Sequence, residues 1–149
     1  MKYFLVTLFL LGVQGCSYKN AYTSFDMNKT AEHIESNTQS SKIEFNERVE
    51  GLFTAIYLNN IYKNRFVDEE IFVISLYIKD EMADYKFKLN SENIIDSEKI
   101  ESNHKYFSLI SHQNSWNKNF MIKFKTSARD LNLTLENNNR SSLLKFQKE

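Results

Sequence analysis

Past residue 41 the chain breaks into short stretches in which apolar and polar residues alternate, the period-two signature of strands with one buried face. "KIEFNERVEGLFTAIYL" sets Ile43 and Phe45 on one side, then Leu52, Thr54, Ile56 and Leu58 against Phe53, Ala55 and Tyr57. "EEIFVISLYIKD" is mostly apolar between charged ends, which suits a strand covered on both faces. "DYKFKLN" turns Tyr85, Phe87 and Leu89 inward and Lys86 and Lys88 outward. "NFMIKFKT" repeats the scheme, with Phe120, Ile122 and Phe124 inward and Lys123 and Lys125 outward. Leu131, Leu133 and Leu135 alternate with Asn132, Thr134 and Glu136, residues 137–140 supply a turn, and Leu144 and Phe146 begin the return. Roughly six or seven short strands with few helices predict an all-β chain. The expected architecture is a small antiparallel β-sandwich, immunoglobulin-like in the broad sense of two packed sheets, with a small antiparallel β-barrel as the alternative closure. Residues 91–118 fit neither period; they allow a strand fragment at Ile94-Ile95 and a helical turn near Lys105 to Ile110.

The chain begins differently. "MKYFLVTLFLLGVQGC" carries an apolar run from Tyr3 to Val13, interrupted only by Thr7. Crossing the hydrocarbon of a bilayer takes roughly 20 apolar residues, so the run is too short to span. Behind Lys2 it has the length and charge of a secretory signal peptide, and Cys16, the only cysteine, follows directly. Val13-Gln14-Gly15-Cys16 resembles the lipobox of bacterial lipoproteins: aliphatic Val13, then Gly15 just before the cysteine, with Gln14 where the pattern has a small residue. The resemblance implies cleavage between Gly15 and Cys16, a diacylglyceryl thioether on the Cys16 sulfur, and an N-acyl chain on the new amine. Ser17 after the cysteine resembles the pattern of lipoproteins sent to the outer membrane, facing the periplasm. Two or three acyl chains hold a protein on a bilayer where one does not. Residues 17–41 are polar and weakly patterned, so the expected division is a signal peptide over 1–15, a lipidated cysteine and flexible tether over 16–41, and a β-sandwich domain over 42–149. Within the tether, Asp26 could cap a short helix running through Ile34. The rest of the chain is similar in pattern to small strand-rich bacterial lipoproteins, a likeness that assigns no site.

Composition narrows the partners. Removing Lys2 from 19 basic residues leaves them one short of the 19 acidic ones, a balance unsuited to nucleic acid. Lipidation of Cys16 would leave no thiol for a disulfide, so the core must carry the fold; 12 Phe, 8 Tyr and 1 Trp are enough to build one. There is no proline and only 3 glycines, so asparagine is expected to take over turn positions.

Candidate chemistry is sparse. His33, His104 and His112 are far apart, with no ligand pair at helix or hairpin spacing. Asp80, Glu81 and Asp84 lack the rhythm of a calcium loop, and Asp68, Glu69 and Glu70 read likewise as solvated turn charge. No G-x-S-x-G or Gly-rich loop occurs. Lys86, Lys88, Lys123 and Lys125 read as solubilising charge rather than a cationic face. No enzyme, metal or cofactor is expected beyond the covalent lipid. "HQNSWNKNF" is the place to look for binding, because it sets the sole tryptophan among amides in the least regular segment. His112, Asn114 and Trp116 are the candidate ligand-binding residues. The competing reading, the one sequence alone favours, has Trp116 plugging the end of the sandwich core. The expectation is a membrane-anchored, non-enzymatic binding or assembly domain with an envelope protein or glycan partner. The alternatives are an accessory subunit of an envelope secretion, pilus or transport complex and, less favoured, an envelope enzyme. A binding module calls for a concave apolar patch with a polar rim, an assembly subunit for a flat patch or open sheet edge, and an enzyme for convergent titratable groups.

Overall fold

The computed structural model describes residues 29–79, 84–137 and 140–149. Their elements are helix α1 (Lys29–Ser36), strands β1 (Thr38–Phe45) and β2 (Arg48–Tyr57), the single helical turn α2 (Leu58–Ile61), and strands β3 (Glu70–Ile78), β4 (Lys86–Leu89), β5 (Glu92–Asn93), β6 (Asp96–Lys99), β7 (Lys118–Phe124), β8 (Asp130–Asn137) and β9 (Arg140–Gln147). Two antiparallel sheets result: a first of order β1-β2-β3-β7-β6 and a second of order β5-β4-β8-β9. This is the expected two-sheet sandwich, not a closed barrel. Its first three strands lie side by side in one sheet as a meander.

The alternation read from sequence is the pleat itself. Phe53, Ala55, Tyr57, Phe72, Ile74, Ile122 and Phe124 of the first sheet meet Leu89, Leu131, Leu133, Leu135, Leu144 and Phe146 of the second in one buried layer. The strand β3 is covered on both faces, as its continuous apolar run predicts. On its other side Ile71 and Val73, with Ile56 of β2 and Met121 of β7, pack beneath Ile100, Tyr106, Leu109 and Ile110. Leu58 of α2 joins this second layer, and Ile34 of α1 and Tyr62 rest against it. The sandwich therefore carries a partial third layer, built mainly by the segment that fits neither period.

Three boundaries differ from the sequence reading. Strand β1 begins at Thr38, ahead of residue 42, and α1 precedes it directly. Asn37 joins the two: its amide Nδ2 donates to the His33 carbonyl at 3.0 Å, and its own carbonyl accepts from Tyr57 N at 2.9 Å. Ile94 and Ile95 are not a strand but the link between β5 and β6, and the helical turn is a 3-10 turn at Phe107–Leu109. Asp26 and the start of the expected tether lie outside the described residues.

Tight turns are made without glycine. Asn46 and Glu47, between β1 and β2, have φ of 48° and 63°; Asn90 and Ser91, between β4 and β5, have 49° and 73°. Two successive left-handed residues are what a two-residue hairpin with the right twist requires. At the second turn the Asn90 side chain fixes the geometry, accepting from Asn132 N at 2.8 Å and donating to the Asp130 carbonyl at 2.9 Å.

Gly51 serves a different purpose. It lies beside a β-bulge, where the β1–β2 register slips between Ile43 and Glu44. A Cβ on Gly51 would collide with the Tyr77 carbonyl oxygen and stand 3.2 Å from Ile43 Cδ1. The obstacle is backbone in the middle of a sheet, so it cannot swing aside. Gly51→Ala is expected to destabilise the fold by about 1–3 kcal/mol. The measurement is the urea midpoint, which should fall at unchanged slope.

Candidate functional site

Cross-strand partners share a face, so the β2–β3 register defines what the outer face of the first sheet presents. Leu52 pairs with Tyr77, Thr54 with Ser75, and Ile56 with Val73. The third layer covers the β7 side of this face and stops short of β1. Where it stops, the segment 110–117 forms a wall and the strands a floor, leaving a cleft of about 210 Å³. Leu52, Thr54, Ile56, Val73, Ser75 and Tyr77 make the floor; Ile110, Ser111, His112, Asn114, Trp116 and Asn117 line the wall.

The wall is held by its amides. Asn117 Nδ2 donates to Ser75 Oγ at 3.2 Å and to the His112 carbonyl at 3.1 Å, which ties the loop to the floor. Asn114 N donates to the His112 carbonyl and Asn117 N to the Asn114 carbonyl, each at 3.1 Å, turning the chain so that Trp116 overhangs the opening. Gln113 Nε2 reaches back to the Phe107 carbonyl at 3.2 Å. Trp116 is 64% exposed, and Leu52 below is also well exposed.

The lining holds no Asp, Glu, Lys, Arg or Cys, and its titratable side chains are His112 and Tyr77. Thr54 Oγ1 is bonded to Ser40 Oγ at 2.9 Å, and Ser75 Oγ accepts from Asn117, so neither hydroxyl is paired with a base. The arrangement suits burial of an apolar group beside neutral hydrogen-bonding groups.

Of the residues singled out by sequence, His112, Asn114 and Trp116 are brought together in this cleft. Trp116 is not a core plug: its ring stands on the outer face of the first sheet rather than between the sheets. His104 lies apart, its Nε2 3.7 Å from Glu98 Oε1 and its ring against Tyr106. Among the described residues no group of three or more His, Cys, Asp and Glu comes together to hold a metal. Lys88 and Lys123 are ion-paired at 2.8 Å, to Glu136 and Asp96, on different sheets. The Lys123 hydrogen bond and charge hold the Asp96 carboxyl below its usual range. Gly15, Cys16, Asp80 and Glu81 lie outside the described residues.

Glu70 corrects the sequence reading. It is not solvated turn charge but the buried head of β3, 5% exposed. Its carboxylate is ion-paired with Lys148 and accepts a hydrogen bond from the Tyr57 hydroxyl. Lys148 Nζ also donates to the Thr126 carbonyl at 3.1 Å. Burial, and then the Glu70 hydrogen bond, push the Tyr57 hydroxyl above its ordinary value, so it remains a donor. None of Tyr57, Glu70 and Lys148 lines the cleft, and the cluster reads as structural. The usable sequence signal was an acid at the start of a strand too apolar to leave either face in water. Compared with known proteins, the chain matches no protein-family model, no curated protein and no solved structure.

Proposed function

We propose that this chain is a lipid-anchored, non-enzymatic binding protein of the bacterial cell envelope, tethered through Cys16 to the outer membrane and facing the periplasm. Its sandwich offers the Trp116 cleft to a ligand. One observation carries the binding half of this reading: an aliphatic floor of Leu52, Ile56 and Val73 under an exposed tryptophan, rimmed by uncharged polar groups. That combination is the concave apolar patch expected of a binding module. His112 and Tyr77 line it with no carboxylate, ammonium, guanidinium or thiol among the lining residues, which favours binding over catalysis. The anchoring half rests on the Val13-to-Cys16 pattern.

Each half has its own test. Labelled fatty acid should be incorporated by the wild type and lost, with membrane fractionation, in Cys16→Ser; label retained by that variant refutes the anchor. Trp116 is the only tryptophan, so its fluorescence reports the cleft directly. Trp116→Ala should leave the unfolding free energy in urea within about 0.5 kcal/mol of wild type, as for an exposed residue. The same substitution should weaken a cleft ligand by about tenfold or more. A Trp116→Ala protein that binds as well as wild type removes the cleft from consideration.

A further inference from the structure

A second recess, of about 370 Å³, lies where β1 and β9, the edge strands of the two sheets, run alongside each other. It shares no lining residue with the Trp116 cleft. Its floor is an amide network built on buried Asn37 and Asn60. Asn60 Nδ2 donates to Asn37 Oδ1 at 2.9 Å and to the Gln147 carbonyl at 3.0 Å, and Asn60 Oδ1 accepts from Glu149 N at 3.3 Å. These bonds fasten the start of β1 to the end of β9 through α2. Of the charged residues in the lining, two are engaged: Lys148 with Glu70, and Glu149 with Lys63 at 2.8 Å. The other two, Arg129 and Lys145, are exposed and make no ion pair or side-chain hydrogen bond to another described residue. The Gln39 amide in the same lining is equally uncommitted. Asp130, beside Arg129 in sequence, stands outside the lining and accepts from Gln147 Nε2 at 3.2 Å. The unspent charge of the recess is therefore positive twice over, with no unpaired carboxylate in its walls.

We propose that this recess binds a doubly charged oxyanion, the chemistry of a phosphate monoester. Two cations on one recess add their potentials, so a dianion gains from both where a monoanion has charge for one and a neutral ligand for neither. Arg129 brings a planar fork of N–H donors and Lys145 three rotatable ones, groups made for oxygen acceptors. Gln39 can add a neutral donor beside them. The contrast with the sheet lysines is direct: Lys88 and Lys123 each hold a carboxylate of the protein at 2.8 Å, whereas Arg129 and Lys145 hold none. At about 370 Å³ the recess also has room for the organic group that carries the phosphate. Such a monoester can arrive free in solution or as a lipid headgroup, and it carries close to two charges at neutral pH in either case.

The test holds the full chain in neutral detergent micelles at low salt and titrates it with glycerol 3-phosphate, acetate and glycerol. Calorimetry and the Arg129 Nε–H resonance are the readouts. Glycerol 3-phosphate should bind with a dissociation constant on the order of millimolar. Acetate should bind at least about threefold more weakly, and glycerol should not bind. Arg129→Gln and Lys145→Gln should each weaken the phosphate about threefold, the scale of an exposed charge pair. Lys86→Gln, an equal loss of charge at an exposed position on β4 outside the recess, should leave binding unchanged. All three side chains are exposed, so the variants should unfold at the wild-type urea midpoint. Phosphatidic acid added to the micelles tells the sources apart: a shift of the Arg129 resonance assigns the headgroup, and no shift assigns the free ester. Acetate binding as tightly as the phosphate overturns the doubly charged class. Equal weakening by Lys86→Gln overturns the recess as the site. If neither phosphate moves the Arg129 resonance of the wild type, the proposal falls, whatever the variants do.

Discussion

Lys148→Met should cost about 3 kcal/mol, the low end of what breaking a buried ion pair costs. The carboxylate of Glu70 has two partners, Lys148 and the Tyr57 hydroxyl, and almost no contact with water. Removing the ammonium leaves a buried negative charge held by one neutral donor. The low end applies because Lys148 is itself partly exposed, so water can replace some of what is lost. Glu70→Gln in the same background should recover most of the loss, since the amide oxygen can still accept from Tyr57 and no charge remains. A double-mutant cycle read by urea unfolding checks this. Additive effects of the two substitutions would show that the pair is not coupled. The Tyr57 hydroxyl adds a pH signature. Its folded value is raised, so its contribution is complete below the unfolded tyrosine value of about 10 and is lost as pH climbs beyond it. The alkaline fall in stability should therefore be shallower in Tyr57→Phe than in wild type.

That cluster also shows where sequence reading stops. The alternation in β4, β7, β8 and β9 was legible because each of those strands sets successive side chains on opposite faces, and the inward set is apolar. Glu70 was not legible, because its partner Lys148 lies at the far end of the chain and nothing local marks an acid as buried. The hairpin turn at Asn46-Glu47 was hidden for a related reason: it lacks the glycine that announces such turns, and glutamate in a left-handed conformation has no sequence signature. In the cleft, His112, Asn114 and Trp116 stood out by composition. The floor did not, although the alternation sets Leu52, Thr54 and Ile56 on one face. Which face faces the second sheet, and how much of the other is covered, depends on the packing of residues 100–117, and that segment has neither period because it forms a layer of its own.

Phe72→Ala should be the other severe substitution, at about 4 kcal/mol. Phe72 is fully buried at the centre of the sandwich. Its ring centroid lies 5.0 Å from that of Tyr57, 5.3 Å from Phe146 and 6.1 Å from Phe124. Truncation thus removes a large apolar side chain and three ring contacts at once, two of them edge-on. The cavity would be walled by strands of both sheets, which cannot collapse without breaking their ladders. Phe72→Leu, which keeps most of the volume, should cost less than half as much. Thermal and urea unfolding of the two variants decide the matter: similar losses for both would mean that ring geometry, not volume, sets the cost.

The floor of the cleft and its wall differ in how they are fastened. The floor strands β2 and β3 sit within a five-stranded sheet, and β3 is covered on both sides. Residues 111–117 hang from a few amide side-chain bonds to Ser75, His112 and Phe107. Amide hydrogens of β3 should therefore exchange with solvent deuterium only through global unfolding, whereas those of the wall exchange through local excursions. A ligand that bridges the two would slow exchange in the wall and leave β3 unchanged. The cleft can adjust its width from one side only, with the sheet as its fixed jaw.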